Sequence, residues 1–415
     1  MISPHPTQRD HKRLLRYASW IRILEADTRH VAPIELETFQ LFSPDGPLCP
    51  NIQKLDWLGA TLAFRFLPLF VPPSIRSLSI SVVSVHDSGA DEELQNEALA
   101  EVIPRLDGSM LTKLDILLSP CVQEQISSLV LRCGPALASL TVSTPLSEQA
   151  LLHAITLPNL RQLLVRNQLP PNIPEPTDIL PSLETLDLAG TPHSRWLSFL
   201  NTRHNRILPS AVTSEPTTPH STLQTLALYN WGGLGSTTIS QVLTFTNLTA
   251  LNIRGPCAVP DDGPCTFNLA DDDITHLAVA LPRLTYLQLG TVRCKRTACK
   301  ITFRTFLSLS ARCSGLSHLG THIDTENIAR DVEILFRAED PEMRTLLQSG
   351  RRCRLESLDV GSTPLALPSR LDLEWVAKGF SYVFPMLEGI LTRGGPRGRE
   401  NTWNRVMELI SKLKL

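Results

Sequence analysis

The feature that most constrains the fold is a short phrase with apolar residues in the order L-x-x-L-x-L, which recurs along most of the chain. It reads LPNLRQLLV at 157–165, LPSLETLDL at 180–188 and LPRLTYLQL at 281–289. The last two apolar positions alternate with the two-residue period of a β-strand. A strand this short cannot bury its apolar face alone, whereas similar neighbours stacked beside it can. The recurrence therefore predicts a solenoid of stacked repeats.

Twelve such phrases can be aligned along the chain. Their first positions are Ile52, Ile75, Leu111, Leu137, Leu160, Leu183, Leu223, Leu248, Leu284, Leu316, Leu355 and Leu387. The intervals run from 23 residues, between Ile52 and Ile75, to 40 residues, between Leu183 and Leu223. The shortest match the roughly 20 to 29 residues of a leucine-rich repeat, and the longer ones are interpreted as repeats with insertions. A further phrase, WIRILEAD at 20–27, is a candidate for an edge strand.

Between the phrases the apolar period changes to that of a helix. Ile274, Leu277 and Ala278 lie at helical spacing in DDITHLAVALPRL, and FRTFLSLSARCSGL at 303–316 shows the same pattern. A strand followed by a helix and another strand makes parallel neighbours. The expected fold class is α/β, a leucine-rich-repeat solenoid (horseshoe) with parallel strands on the concave face and helices or irregular segments outside.

The expected organisation follows from the position of the phrases. Residues 1–50 are interpreted as an N-terminal cap that leads into the first repeats, 51–392 as the repeat array, and 393–415 as a C-terminal loop and capping helix. Residues 208–221 are rich in Pro, Ser and Thr and are expected to form a disordered insertion. Thr218 precedes Pro219 and is a candidate phosphorylation site there, although an unmodified linker is the simpler interpretation.

Composition narrows the classes of partner. The 39 Lys and Arg residues nearly balance the 41 Asp and Glu residues, so no overall basic field indicates nucleic acid. No apolar stretch reaches the roughly 18 residues that a membrane span requires, and the N-terminus has no apolar signal core. The nine cysteines show no paired spacing, which indicates a reducing compartment without a zinc site. We therefore expect an intracellular protein of the cytoplasm or nucleus, with neither a nucleic-acid nor a membrane partner.

No motif in the sequence indicates catalysis. It contains no nucleophile elbow, phosphate loop, HExxH metal motif or dinucleotide fingerprint, so we expect no enzyme activity, metal or cofactor. The acidic runs at 261–262 and 271–273 could bind calcium together, but the second precedes a helical pattern and is better explained as a helix cap. His318 and His322 are interpreted as surface histidines, and the basic segment at 393–400 as a solvated loop.

Two segments carry a resemblance to a known family. FNLADDDITHLAVALPRLTYLQLG at 267–290 and ITFRTFLSLSARCSGLSHLGTHID at 301–324 resemble the leucine-rich-repeat region of fungal F-box proteins. RLLRYASWIRIL at 13–24 looks like the family's segment just after the F-box. In that family the F-box holds a Skp-type adaptor and a cullin ubiquitin ligase, while the repeats choose the substrate.

The resemblance implies a protein–protein recognition module without enzyme activity, serving as the substrate receptor of a cullin-type ubiquitin ligase. The F-box motif itself is not found in this sequence, since only ten residues precede His11. A Skp-type adaptor is therefore expected only if an F-box lies upstream. The alternative, a leucine-rich-repeat scaffold or regulator without a ubiquitin ligase, remains open.

The partner, a protein substrate, is expected on the concave face. In each strand the leucines point inward, so the residues that flank them point outward. Some of these outward positions hold side chains of the polar, charged or aromatic kind that can contribute binding energy. They are Arg166, Asp187, Tyr229, Asn252, Arg254, Tyr286, Gln288 and His318. The alternative is a solvated sheet face with the partner on a loop or a cap.

Overall fold

The computed structural model describes most of the chain in separate stretches. These are residues 8–31, 36–37, 47–82, 89–166, 180, 182–189, 196–200, 222–229, 234–254, 267–290, 301–337, 353–361, 365, 367, 369–392 and 402–414. The chain divides into two compact units, Met1–Thr185 and Leu186–Leu415. The predicted insertion at 208–221, the loop at 393–400 and the acidic pair at 261–262 lie outside the described residues.

The strands are short and follow one another along the chain. They are β1 Ile23–Asp27, β2 Lys54–Gly59, β3 Ser77–Val82, β4 Lys113–Leu117, β5 Ser139–Val142, β6 Gln162–Val165, β7 Thr185–Ala189, β8 Thr225–Tyr229, β9 Leu234–Gly235, β10 Ala250–Arg254, β11 Phe267–Asn268, β12 Tyr286–Leu289, β13 His318–Gly320, β14 Ser357–Asp359 and β15 Gly389–Leu391.

Among the described α-helices, all but the first and the last lie between two strands along the chain. The helices are α1 Gln8–Ala18, α2 Gly89–Arg105, α3 Gln123–Arg132, α4 Glu148–Ile155, α5 Ser236–Val242, α6 Asp271–Ala280, α7 Phe303–Arg312, α8 Ile328–Arg337, α9 Arg370–Val383 and α10 Thr402–Leu413. Short 3-10 helices lie between strands of the first unit, at Thr28–His30, Thr61–Leu69, Gly108–Met110 and Pro120–Val122. None of the described helices combines the length and the apolar character needed to cross a bilayer.

In the first unit the strands β1 to β6 pair in chain order, and every pair is parallel. The register aligns equivalent positions of successive phrases. Lys54 lies opposite Ser77, and Ser77 lies opposite Lys113, although the first phrases are 23 residues apart and the next are 36. The insertions therefore do not shift the ladder.

In the second unit β8, β10, β12, β13, β14 and β15 pair in parallel and in chain order. The short strands β9 and β11 form a separate parallel pair. Both units are thus α/β arrays of the leucine-rich-repeat solenoid type, as the phrase predicted.

The apolar positions of the phrases form the core. All twelve phrases contain a strand, and each first residue is at most 2% exposed, as are Leu186, Leu287 and Leu319 within them. The predicted edge strand is confirmed as β1, at the end of the ladder. The helical spacing is also confirmed, since Ile274 and Leu277 in α6 are buried. Burial of a leucine side chain contributes roughly 1.5 to 3 kcal/mol, so the buried leucines of the phrases contribute strongly to stability.

Hydroxyl side chains form a ladder of hydrogen bonds just before the strands. The residue after the first phrase position is Thr or Ser in several repeats, and its hydroxyl donates to the carbonyl of the equivalent residue one repeat earlier. Thr285 Oγ1 donates to Thr249 O at 3.0 Å, and Ser317 Oγ donates to Thr285 O at 3.0 Å. The backbone N–H groups of Thr285 and Tyr286 donate to the same Thr249 carbonyl. These carbonyls therefore accept hydrogen bonds from both backbone and side-chain donors of the next repeat.

Aromatic rings join the outer helices of the second unit. Phe306 of α7 lies with its ring centroid 5.3 Å from that of Phe380 in α9 and 5.9 Å from that of Phe384. Trp403 of α10 packs on Phe380 with the centroids 6.1 Å apart and is 1% exposed. The helix α10 thus packs against α9. At the other end of the chain Trp20 is 61% exposed. The assignment of both segments as caps remains a prediction.

Three cysteine thiols are buried, and this burial should slow their reaction with alkylating reagents. Burial raises the pKa of Cys133 and of Cys313 to about 12 and that of Cys353 to about 11, from an ordinary value of 9.0. A pKa raised above the solution pH keeps the thiol protonated, and the thiolate is the nucleophile. At pH 8 we expect iodoacetamide to modify these three residues far more slowly than the half-buried Cys121, as measured by peptide mass spectrometry. Rapid labelling of Cys313 in the native protein, with urea-unfolded protein as the control, would contradict the packing at the end of α7.

Candidate protein-binding surface

Four neighbouring strands of the second unit carry most of the predicted site residues. The sheet face that points away from the buried leucines is called the open sheet face. Parallel strands lie about 4.8 Å apart, so side chains at paired positions of this face touch. The register pairs Tyr229 with Arg254, Asn252 with Gln288, and Tyr286 with His318. These six residues therefore form one continuous surface, named the β8–β13 surface.

The first part of this surface is built around Arg254. Its guanidinium lies 5.5 Å from the centroid of the Tyr229 ring, and its Nε donates to Asn252 Oδ1 at 3.1 Å. Asn252 Nδ2 in turn donates to the Tyr229 hydroxyl at 3.4 Å. The alternation of β10 places Asn252 and Arg254 on the same face, two residues apart. The three side chains thus hold one another in place.

The second part is a stack of two rings. Tyr286 and His318 lie with their centroids 4.5 Å apart and their planes 10° from parallel. His318 Nε2 is 3.5 Å from Oε1 of Gln288, which is only 3% exposed. Gln288 lies over Gly320, its register partner, where a Cβ atom would overlap the glutamine amide. The glycine therefore makes room for the amide that supports the ring stack.

Burial shifts the pKa of two side chains on this surface, Tyr229 and His318. Burial, and then the negative charge of Asp187, raise the pKa of Tyr229, so its hydroxyl stays neutral at physiological pH. Burial lowers the pKa of His318, and the positive charge of Arg254 acts in the same direction. The carboxylate of Asp359 opposes this shift. The imidazole is therefore neutral at pH 7, and Arg254 is the permanent cation among these groups.

The other predicted residues are placed as follows. Asp187 lies on β7, and its charge reaches Tyr229. Arg166 is exposed directly after β6 and belongs to the first unit. Gln288 is too deeply buried to meet a partner directly, so its part is to support His318.

The interpretation of His322 as a surface histidine was wrong. His322 is 2% exposed, and β13 ends at Gly320, so the strand alternation that would have turned the side chain outward does not reach it. His318 is half-buried in the ring stack.

The acidic run at 271–273 acts as a helix start. Asp273 accepts a hydrogen bond from the backbone N–H of Ala270 at 2.9 Å. Asp271 accepts from the backbone N–H and the hydroxyl of Thr302 at 2.8 and 2.6 Å. The carboxylates are thus used to cap α6 and to link it to α7. Within the described stretches, no group of three or more His, Cys, Asp or Glu residues is arranged to hold a metal ion.

Gly320 is a site-forming residue that the sequence reasoning missed. The sequence did contain a sign of this contact. A glycine stands at an outward position of the strand, and the equivalent position of the preceding repeat holds the long side chain of Gln288. Gly320→Ala should destabilise the protein by about 1 kcal/mol, because the new methyl group displaces the amide at the end of the flexible Gln288 side chain. Urea denaturation of Gly320→Ala, Gln288→Ala and the double variant measures this, and the loss should largely disappear when Gln288→Ala is already present. Additive effects would contradict the contact.

Comparisons with known proteins give structural similarity alone. No model of a protein family matches the chain, and no curated protein matches it. The chain is similar to a solved structure of a Rad7 and Elc1 complex in yeast, with 14% identity over 77% of this chain and 86% of that chain, and a TM-score of 0.40. It is also similar to a leucine-rich-repeat protein of Leptospira interrogans, with 14% identity over 94% of this chain and 100% of that chain, and a TM-score of 0.34. The assignment to a leucine-rich-repeat fold therefore rests on the strand pairing and the burial of the phrases.

Proposed function

We propose that the chain is a non-enzymatic recognition module that binds a protein through the β8–β13 surface. The proposal rests on two contacts between neighbouring strands. Arg254 packs over the Tyr229 ring, and the His318 ring stacks on Tyr286. Tyrosine and arginine are enriched among the residues that dominate binding energy at protein interfaces. Because these side chains are already held by their neighbours, little rotamer entropy remains to be lost on binding.

The test is a comparison of captured proteins. The full chain with Tyr229→Ala, Arg254→Ala and Tyr286→Ala is immobilised beside the wild type, and bound proteins are identified from lysate by mass spectrometry. A matched control carries Arg312→Ala, Arg330→Ala and Leu371→Ala, three exposed residues on the helices of the same unit. We expect the first variant to lose a specific set of proteins that the control retains.

Circular dichroism establishes that all three proteins are folded. If the Tyr229 variant is folded and captures the same set as the wild type, binding through this surface is contradicted. In that case the partner binds to a loop or a cap, the alternative that the sequence left open.

We further propose that the bound protein is a substrate for ubiquitination inside the cell. The resemblance of residues 267–290 and 301–324 to fungal F-box proteins supports a receptor of a cullin-type ligase. Pull-down of the complete gene product with a Skp-type adaptor tests this role. Enrichment over a bead control supports the receptor role, and its absence favours a scaffold or regulator without a ligase.

A further inference from the structure

We propose that α8 and α9 form a binding site for a quaternary ammonium group, carried by a trimethylated lysine side chain of a partner protein. The site lies between the ring of Phe336 on α8 and the ring of Trp375 on α9, and it is named the α8–α9 ring site. It shares no residue with the β8–β13 surface, so this inference does not depend on the proposed function.

A close approach of the two helices brings these rings together. Gly379 of α9 lies against Val332 of α8, where a Cβ atom on the glycine would be 2.8 Å from Val332 Cγ1. Phe336 follows Val332 by four residues on α8. Trp375 precedes Gly379 by four residues on α9. Because residues four apart share a helix face, both rings lie where the helices meet. Their centroids are 6.2 Å apart and their planes differ by 41°, and Tyr382 contacts Phe336 in a T-shaped arrangement at 5.4 Å.

The side chain of Lys378 marks where a bound cation would lie. Its Nζ atom is 5.4 Å from the centroid of the Phe336 ring and 5.1 Å from that of Trp375. Both distances are below the limit of about 6 Å within which the face of an aromatic ring attracts a cation. Of the cations that contact rings within the described stretches, Lys378 alone lies over two rings. Each of the others lies over one, namely Arg16, Arg65, Arg254 and Arg337.

A trimethylated lysine should displace Lys378 because the two ammonium groups differ in hydration. The ammonium of an unmodified lysine is compact and strongly hydrated. Trimethylation keeps the charge and removes the N–H donors, so the group loses less hydration when it enters between two rings. Lys378 is exposed on a flexible stem, so its own ammonium returns to water when it leaves. The rings of Phe336 and Trp375 are partly exposed, which leaves the site open to a partner side chain.

Fluorine NMR of the full chain tests the inference. The six tryptophans are replaced by 5-fluorotryptophan, and the Trp375 resonance is identified by its loss in Trp375→Phe. N-acetyl-trimethyllysine methylamide is titrated into the wild type, Lys378→Ala and the control Lys412→Ala, which removes an exposed lysine of α10. We expect a saturable shift of the Trp375 resonance in the wild type and the control. Lys378→Ala should bind the probe about 3- to 10-fold more tightly, because it removes the internal competitor.

Matched probes and a ring variant identify the chemistry. The unmethylated lysine derivative, and a neutral analogue with a tert-butyl group in place of the trimethylammonium, should bind about 5- to 30-fold more weakly. Phe336→Leu, which keeps an apolar side chain without the ring, should weaken binding of the trimethyllysine probe, with folding checked by circular dichroism.

Three results would overturn the inference. The first is a Trp375 resonance that does not move in either the wild type or Lys378→Ala, whose substitution lies at an exposed position. The second is equally tight binding of the neutral analogue, which would make the site an apolar pocket. The third is tighter binding of choline than of the trimethyllysine probe, which would overturn the choice of a lysine side chain.

Discussion

Replacing Leu186 by Asp should destabilise the protein by about 3 to 5 kcal/mol, the loss expected when an unpaired charge is placed in an apolar core. Leu186 lies in β7 and is fully buried, so the carboxylate would be cut off from water. The midpoint of urea denaturation, followed by circular dichroism, measures the effect. Leu186→Met, which keeps the apolar volume, should cost less than about 1.5 kcal/mol.

The neighbouring residue shows that the strand itself tolerates a carboxylate. Asp187 is native to the same strand and faces the other side of the sheet. A Leu186→Asp variant that unfolds at the wild-type urea concentration would show that the phrase is not a core strand.

Phe306→Ala should have an effect of similar size, about 3 to 5 kcal/mol. The ring is fully buried and touches Phe303 of its own helix, with the centroids 5.8 Å apart, as well as Phe380 and Phe384. Alanine would leave a cavity between α7 and α9, and the remaining rings can fill it only in part. Differential scanning calorimetry and urea denaturation measure the loss.

Two controls define the meaning of that result. Phe306→Leu retains most of the volume and should be distinctly less damaging. Leu371→Ala removes an apolar side chain that is 59% exposed and should change stability by no more than about 0.5 kcal/mol. If Phe306→Ala were as mild as Leu371→Ala, the aromatic contacts between the helices would not contribute to folding.

The sequence predicted the strands well because their signal is local. A phrase such as LPRLTYLQL contains both the apolar spacing of the strand and the proline-marked turn before it, so the repeat can be found without knowing its neighbours. The same alternation correctly placed Tyr229, Arg254 and Tyr286 on the same face of the sheet. Whether that face binds a partner stays a prediction.

The failures concern contacts between repeats. The burial of Gln288 depends on the glycine that follows it one strand later, and insertions of variable length obscure which residues become neighbours. His322 was misplaced because the point where a three-residue strand ends depends on its partners and not on its own alternation. The hydroxyl ladder was likewise hidden, since Thr and Ser are common in loops and only the register shows that their carbonyl partners align.

The constant register has an evolutionary consequence. In the first unit, steps of 23 and 36 residues place equivalent residues opposite each other. The pairing of the strands therefore does not depend on the length of the segment, or excursion, between them. Natural selection can then lengthen, shorten or replace an excursion one repeat at a time without rebuilding the array. A chain built in this way can acquire new surfaces around an unchanged frame, and related proteins should differ most in the lengths of these excursions.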